Sequence, residues 1–185
     1  MTCPHCVGAE ELFNSKEATG DLKRYRSKGP MKTAQMLIDA LRDAGVAEKC
    51  LLDIGSGVGA LQHELFKAGV ASALERQGTR DRVEYHHGDF IDIASGLDEA
   101  NVVTLDRVLC CYPDVRALVE RSTTLTGSFY GVVYPRKSLV SKLAIGGANL
   151  FLKIKKNPFR AFVHDPERAN AVRQGSPMAE AAEAA

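Results

Sequence analysis

Three glycines after an acid are the residues whose types and spacing most directly suggest chemistry. Gly55, Gly57 and Gly59 follow a short apolar run, and Asp53 lies two residues before the first of them. Glycine lets a backbone turn sharply and approach a ligand closely, and a helix after the turn offers free N–H groups. The pattern predicts a binding turn that includes Ser56. An ordinary strand-to-helix turn is the alternative.

Two cofactor classes fit this spacing. Gly55-x-Gly57-x-x-Ala60 satisfies the dinucleotide fingerprint, whereas Gly55-x-Gly57-x-Gly59 satisfies the version found with S-adenosylmethionine. A carboxylate at Asp53 would repel a pyrophosphate but could attract the ammonium group of a sulfonium cofactor. The sequence therefore favours S-adenosylmethionine. It leaves open an NAD-dependent oxidoreductase and a non-catalytic cofactor-binding module.

Four further side chains are candidates for the site. Cys111 could act as a base or positioning group near an acceptor, or pack as a small hydrophobe. Tyr112 could orient an acceptor carboxylate or hydroxyl through its own hydroxyl. His164 is either a base or a solvated histidine. Tyr25 lies in the basic run 22–30, which is either a solvated face or a segment that closes over the cofactor and reaches its carboxylate.

Composition limits the classes of partner. Lysine and arginine (24) nearly balance aspartate and glutamate (23), so no nucleic-acid partner is expected. Five cysteines, an odd number, do not suggest a disulfide framework, and a reducing cytoplasm is the simplest compartment. Cys3 and Cys6 form one CxxC pair without a second, so no metal site is predicted. Cys110 and Cys111 could complete a zinc site only if the N-terminus folds over them, and a mobile terminus is the alternative. The apolar stretch 139–159, flanked by lysines, could be a lid over an apolar acceptor, which we favour, or a weak contact with a membrane surface.

The elements that must position these residues alternate between strands and helices. This order predicts an α/β fold: a Rossmann-like, doubly wound, mostly parallel sheet with helices on both faces. We expect a cap or arm at 1–30, the main domain at 31–174 and a disordered tail at 175–185. The expected helices are 32–44, 61–68, 113–125 and 138–153, and the expected strands are 50–54, 83–85, 101–106, 128–134 and 159–164.

The segment 60–82 is short for such a fold. A helix, a strand and a second helix with their connections need about 35 positions, more than the segment holds. Either the fold is pared down here, or segments of the chain are missing from the sequence. We favour the second interpretation.

Several segments resemble class I S-adenosylmethionine-dependent methyltransferases. Residues 51–59 are similar to motif I, 87–90 to the later acidic motif, and 102–114 to the segment after the fourth strand. The resemblance spans about 12–164. It implies that Asp89 accepts a hydrogen bond from the adenine amino group and that Phe90 flanks the ring. It also implies that the backbone at Leu105, Asp106 and Arg107 contacts the cofactor.

A narrower resemblance is to the magnesium-protoporphyrin methyltransferases. Their Leu-Asp-Val-Leu-Ile-His-Tyr-Pro segment is similar to 105–113, apart from one extra position here. Their late Arg-x-Tyr-x-His resembles 160–164, and their Tyr-Phe-Asn resembles 12–14. The family's tyrosine is Leu12 here and its motif histidine is Cys111, so we expect an acceptor other than a porphyrin.

Together these resemblances imply an enzyme. It would transfer a methyl group to a carboxylate or hydroxyl oxygen of a small, apolar molecule and leave S-adenosylhomocysteine. The sequence leaves the oligomeric state open.

Overall fold

A computed structural model describes residues 4–47, 49–67, 84–133 and 138–164. The predicted tail at 175–185, Cys3 and most of the short segment 60–82 lie outside these residues. In the described ranges no helix is both long and apolar enough to cross a membrane.

Three parallel strands form the sheet that the described residues contain. They are β1 (Leu51–Asp53), β2 (Ala100–Asp106) and β3 (Thr126–Val133), in the order β1-β2-β3. Asp53 pairs with Thr104, and Asp106 pairs with Val133. Strand β2 is apolar almost throughout because it is buried on both faces. The carboxyl ends of all three strands lie at the same edge of the sheet, and the glycine turn begins just after the end of β1.

Seven α-helices are present in the described ranges. Asn14, Asp114 and Ser138 cap three of them by accepting hydrogen bonds from backbone N–H groups in the first turn. Short 3-10 turns cover Ala94–Gly96 and Leu109–Cys111. The α-helices are α1 (Pro4–Leu12), α2 (Ser15–Lys28), α3 (Lys32–Asp43), α4 (Ala60–Lys67), α5 (Phe90–Ile93), α6 (Val115–Thr124) and α7 (Leu139–Ile154).

Helices cover both faces of this sheet, as the sequence predicts. Leu37 and Ile38 of α3 pack with Leu65 of α4 in one apolar cluster that includes Val102 of β2. Helices α5 and α6 pack in a second cluster that includes Val103 of β2. Because side chains alternate along a strand, the two clusters lie on opposite faces. The α/β class is confirmed, but the described residues form only a small three-stranded sheet, not the full doubly wound sheet predicted.

Two predicted strands are not strands where the structure describes them. Residues 84–87 have no regular structure. Residues 157–164 are also irregular, because their backbone groups form hydrogen bonds with a side chain and with a loop instead of with a neighbouring strand. The Asn149 amide bonds both backbone groups of Ala161, each at 2.8 Å, and the Phe162 N–H donates to the Cys110 carbonyl at 2.7 Å.

Helix α1 packs against this irregular segment. The Asn157 amide donates to the Gly8 carbonyl at 3.1 Å, and the His5 ring stacks on Phe159 at 4.8 Å between centroids. A Cβ added to Gly8 would lie 2.7 Å from the Asn157 side-chain oxygen, so only glycine allows this approach. The first helix is thereby fixed next to the segment that supports the loop after β2.

Candidate functional site

The glycine turn has the sharp geometry that the sequence predicts. Gly55, Gly57 and Gly59 have φ values of 68°, 55° and 70°, all in the left-handed region that favours glycine. The Gly59 N–H donates to the Ser56 carbonyl at 2.9 Å, which closes the turn before α4. A Cβ at Gly55 would lie 2.6 Å from a methyl group of Val108. The turn therefore lies directly against the loop after β2.

Two carboxyl groups lie at the carboxyl ends of β1 and β2. Asp53 Oδ1 accepts from the Thr104 hydroxyl at 2.7 Å, while Asp53 Oδ2 is buried without a hydrogen-bond partner. Asp106 Oδ1 is also buried without one, and the Arg107 Nε lies 3.6 Å from it. Two buried carboxylate oxygens at this edge of the sheet therefore have no hydrogen-bond donor.

Burial dominates the titration of this pair. It raises the pKa of Asp53 to about 7, the Thr104 hydrogen bond lowers it, and the charge of Asp106 raises it further. Burial also raises the pKa of Asp106, against the opposing effect of Arg107. A cationic group with N–H donors would oppose both shifts, because it would supply hydrogen bonds and favour the ionised carboxylates.

The chain turns abruptly after β2. Arg107 has a φ of 59°, which is uncommon for a residue with a side chain, and its N–H donates to the Val133 carbonyl at 2.9 Å. The Leu105 side chain is fully buried in the core, so only its backbone could meet a ligand. The left-handed residue directs the loop 107–112 back toward the glycine turn. Such an unusual backbone conformation is typical of functional sites.

Asp89 and Tyr112 are brought together, although the sequence suggests separate roles for them. Asp89 Oδ1 accepts from the Ile91 N–H at 3.0 Å, which caps α5, and also from the Tyr112 hydroxyl. The Cys6 thiol lies 3.9 Å from Asp89 Oδ2. Burial, and then the bond to Asp89, raises the pKa of Tyr112, so its hydroxyl remains a proton donor. Phe90 is only 9% exposed and belongs to the core, which leaves little of its ring for a ligand.

The two adjacent cysteines share the 3-10 turn of this loop. Their sulfur atoms lie 3.7 Å apart, and the Cys110 sulfur lies 3.2 Å from the Arg107 carbonyl oxygen. The contact with Cys111 lowers the pKa of Cys110 to about 7 and raises the pKa of Cys111. Cys110 is thus the more acidic thiol, whereas the sequence singles out its neighbour.

Two histidines support the backbone of this loop. His164 Nε2 donates to the Tyr112 carbonyl at 3.0 Å, and His5 Nε2 donates to the Cys111 carbonyl at 2.9 Å. The Phe162 ring lies 5.9 Å from the His5 ring and 5.5 Å from the His164 ring. His164 therefore contacts the backbone of Tyr112, and a role as a base would fall to its other ring nitrogen, Nδ1.

Tyr25 contacts the helix that begins after the glycine turn. Its hydroxyl donates to Glu64 at 2.6 Å, and its ring meets the His63 ring edge-on. Burial and Glu64 together raise the pKa of Tyr25 to about 12. The structure therefore pairs this hydroxyl with a carboxylate of α4.

Three contributors to the site are missed by sequence reasoning. Thr104 bonds Asp53, His5 supports the loop, and Glu64 binds Tyr25. The only signal for Thr104 is a hydroxyl among the apolar residues of a buried strand. Within the described ranges, no group of three or more histidine, cysteine or acidic side chains is arranged to hold a metal.

Comparison with known proteins gives the fold class. No protein-family model and no curated protein matches the chain. A solved structure of an O-methyltransferase family protein from Burkholderia thailandensis resembles it with a TM-score of 0.51 at 16% sequence identity. The match covers 76% of this chain and 50% of that protein, so the chain spans about half the length of the structure it matches. The likeness shows a methyltransferase-like fold.

Proposed function

We propose that this chain binds S-adenosylmethionine and transfers its methyl group to a carboxylate or hydroxyl oxygen of a small, apolar molecule. The observation that carries the proposal is the pair of buried acceptors Asp53 Oδ2 and Asp106 Oδ1, which lack hydrogen-bond partners. They lie at the carboxyl ends of adjacent strands, next to the glycine turn, where open α/β sheets bind their ligands. The methyltransferase-like fold supports the proposal.

Asp53 would hold the aminoacyl end of the cofactor. An ammonium group can donate to Asp53 Oδ2 while the Thr104 hydroxyl keeps its bond to Oδ1. Such a contact would keep Asp53 ionised, because an opposite charge lowers the pKa of a carboxyl group. A pyrophosphate there would meet two carboxylates, which disfavours a dinucleotide.

The loop 107–112 would face the acceptor. Bound S-adenosylmethionine would supply an electrophilic methyl group, and the chain would align an acceptor oxygen with it. Alignment of this kind can contribute about 7–11 kcal/mol to lowering the barrier. A carboxylate acceptor is already ionised and needs no base, whereas a hydroxyl acceptor would need one. Cys110 and His164 Nδ1 are the groups near the loop that could act as one.

Titration calorimetry with S-adenosylhomocysteine tests the proposal, with NAD as the control ligand. We expect micromolar binding of S-adenosylhomocysteine alone and at least tenfold weaker binding in Asp53→Asn, since charge-assisted bonds are worth about 1.5–3 kcal/mol. Asp98→Asn, which removes an exposed acid, is the matched control. Binding of NAD alone, or of neither ligand, would refute the proposal.

A further inference from the structure

Helix α7 has two apolar faces, and only one packs against the protein. Its 16 residues advance by about 100° each around the axis. The inner face contains Leu152, which is buried, and Asn149, which bonds Ala161. Because both residues lie on the same side of the helix, they fix the face that meets the protein. The opposite face points away from it.

The outer face is a continuous apolar surface. Its large side chains fall within an arc of about 120° that lies opposite Leu152. All of them are between 59% and 78% exposed, which is unusual for a contiguous group of this size. They are Leu139, Leu150, Leu143, Ile154, Val140 and Phe151, in order around the arc.

Positive charge borders this outer face. Lys142 and Lys153 lie on one side of the arc and Lys155 on the other, and Lys156 follows. The sequence 138–164 contains no aspartate or glutamate. The arrangement matches an interfacial helix, in which lysine stems extend along the apolar surface and place their ammonium groups among anionic lipid head groups.

We propose that the outer face of α7 binds the surface of a membrane that contains anionic lipid. The helix is about 24 Å long, shorter than the hydrocarbon core, so it would lie along the surface.

A second copy of this chain is a poorer partner, because each face would bring lysines to the other without an acid to pair with them. As a lid, α7 would have to turn this face toward the acceptor. The six side chains instead point away from the described residues that pack under the helix.

The chain contains no tryptophan, which permits a single-residue reporter. Leu143→Trp places it at the centre of the outer face. Met36→Trp, on the exposed side of α3, is the matched control. With vesicles containing phosphatidylglycerol, we expect a blue shift of the indole emission of the Leu143→Trp variant and its quenching by brominated acyl chains. With phosphatidylcholine vesicles we expect at least tenfold weaker binding, and the Met36→Trp reporter should not respond.

Two variants separate the apolar and charged contributions in vesicle sedimentation. Leu150→Gln with Ile154→Gln should reduce binding at least tenfold. Lys142→Gln with Lys153→Gln should reduce it about 25-fold, since each lysine near an anionic surface contributes about fivefold. Lys16→Gln with Lys23→Gln, on exposed positions of α2, is the charge-matched control and should bind normally.

Several results would overturn this inference. Absence of vesicle binding, equal binding to neutral vesicles, or wild-type binding in both outer-face variants would each do so. A lipid-free dimer that the Leu150→Gln and Ile154→Gln changes dissociate, detected by sedimentation velocity, would assign the face to a second copy. Circular dichroism of every variant verifies that the fold is retained.

Discussion

Asp53→Asn should stabilise the ligand-free protein, although the proposed function predicts that it weakens cofactor binding. Burial raises the pKa of Asp53 from 3.8 to about 7, and Oδ2 has no partner that would offset the loss of water. Asparagine has nearly the same shape, keeps an oxygen for the Thr104 hydroxyl and carries no charge. The substitution therefore removes a buried charge and retains the hydrogen bond already present.

The size and sign of this effect follow from the shift in pKa. A rise in pKa from 3.8 to about 7 corresponds to at most about 4 kcal/mol, and entry of water reduces it, so we expect about 2 kcal/mol. The folded-state pKa lies above the unfolded one. The carboxyl group therefore stabilises the fold below about pH 4 and loses this contribution as the pH rises through about 7. The advantage of Asp53→Asn should be nearly absent at about pH 4 and full at about pH 8.

Urea unfolding of both proteins at several pH values measures this difference. Asp98→Asn removes an exposed carboxylate and should show no comparable change between the two pH values. An Asp53→Asn advantage that is the same at low and high pH would refute the argument, because it would not arise from ionisation. Destabilisation at both values would mean that the amide N–H groups buried in place of Oδ2 lack acceptors and cost more than the charge they replace.

Three other predictions concern neighbouring parts of the site. If an ammonium group binds Asp53, S-adenosylhomocysteine binding below about pH 7 should release a proton, measured by calorimetry in buffers of different ionisation enthalpy; no release would count against the contact. Gly55→Ala should lower the free energy of unfolding by about 1–3 kcal/mol because its Cβ meets Val108 and φ is positive, and Val108→Ala should restore part of the loss in urea melts. Cys111→Ala should slow alkylation of Cys110 by iodoacetamide at neutral pH, because the hydrogen bond that lowers its pKa is lost; an unchanged rate, with Cys50→Ala as the control, would refute that cause.

The elements whose side chains repeat at the period of their own secondary structure could be predicted from the sequence. Leu37, Ile38 and Leu41 recur at helical spacing and belong to α3, whose bounds differ from the prediction by one residue. Strand β2 is apolar almost throughout and lies in the centre of the three-stranded sheet. The pattern around Phe159 and Phe162 is equally suggestive of a strand, but periodicity does not identify the partner. Here the Asn149 side chain takes the place of one.

The features of the site that could be predicted also depend on local sequence, whereas the others depend on contacts between distant residues. The glycine turn could be predicted because its conformation depends on the residues of the turn itself. The Asp53–Thr104 bond depends on the register of two strands that are distant in sequence, and the Tyr112–Asp89 bond depends on how two loops pack. Neither leaves a local signal. The unpaired oxygens of Asp53 and Asp106, which carry the functional proposal, also become evident only once the strands are placed side by side.

The support of the loop 107–112 links the first and last described segments of the chain. His5 and His164 donate to the carbonyls of consecutive residues, Cys111 and Tyr112, and the Phe162 ring lies between them. A carbonyl oxygen can only accept, so Nε2 is the donor in both bonds. The two histidines therefore hold the backbone of the loop and leave the side chains of Cys111 and Tyr112 for other contacts. A change in cofactor binding near neutral pH would therefore report on Asp53 at the sheet edge or on Cys110 in the loop, because the pKa of each lies at about 7.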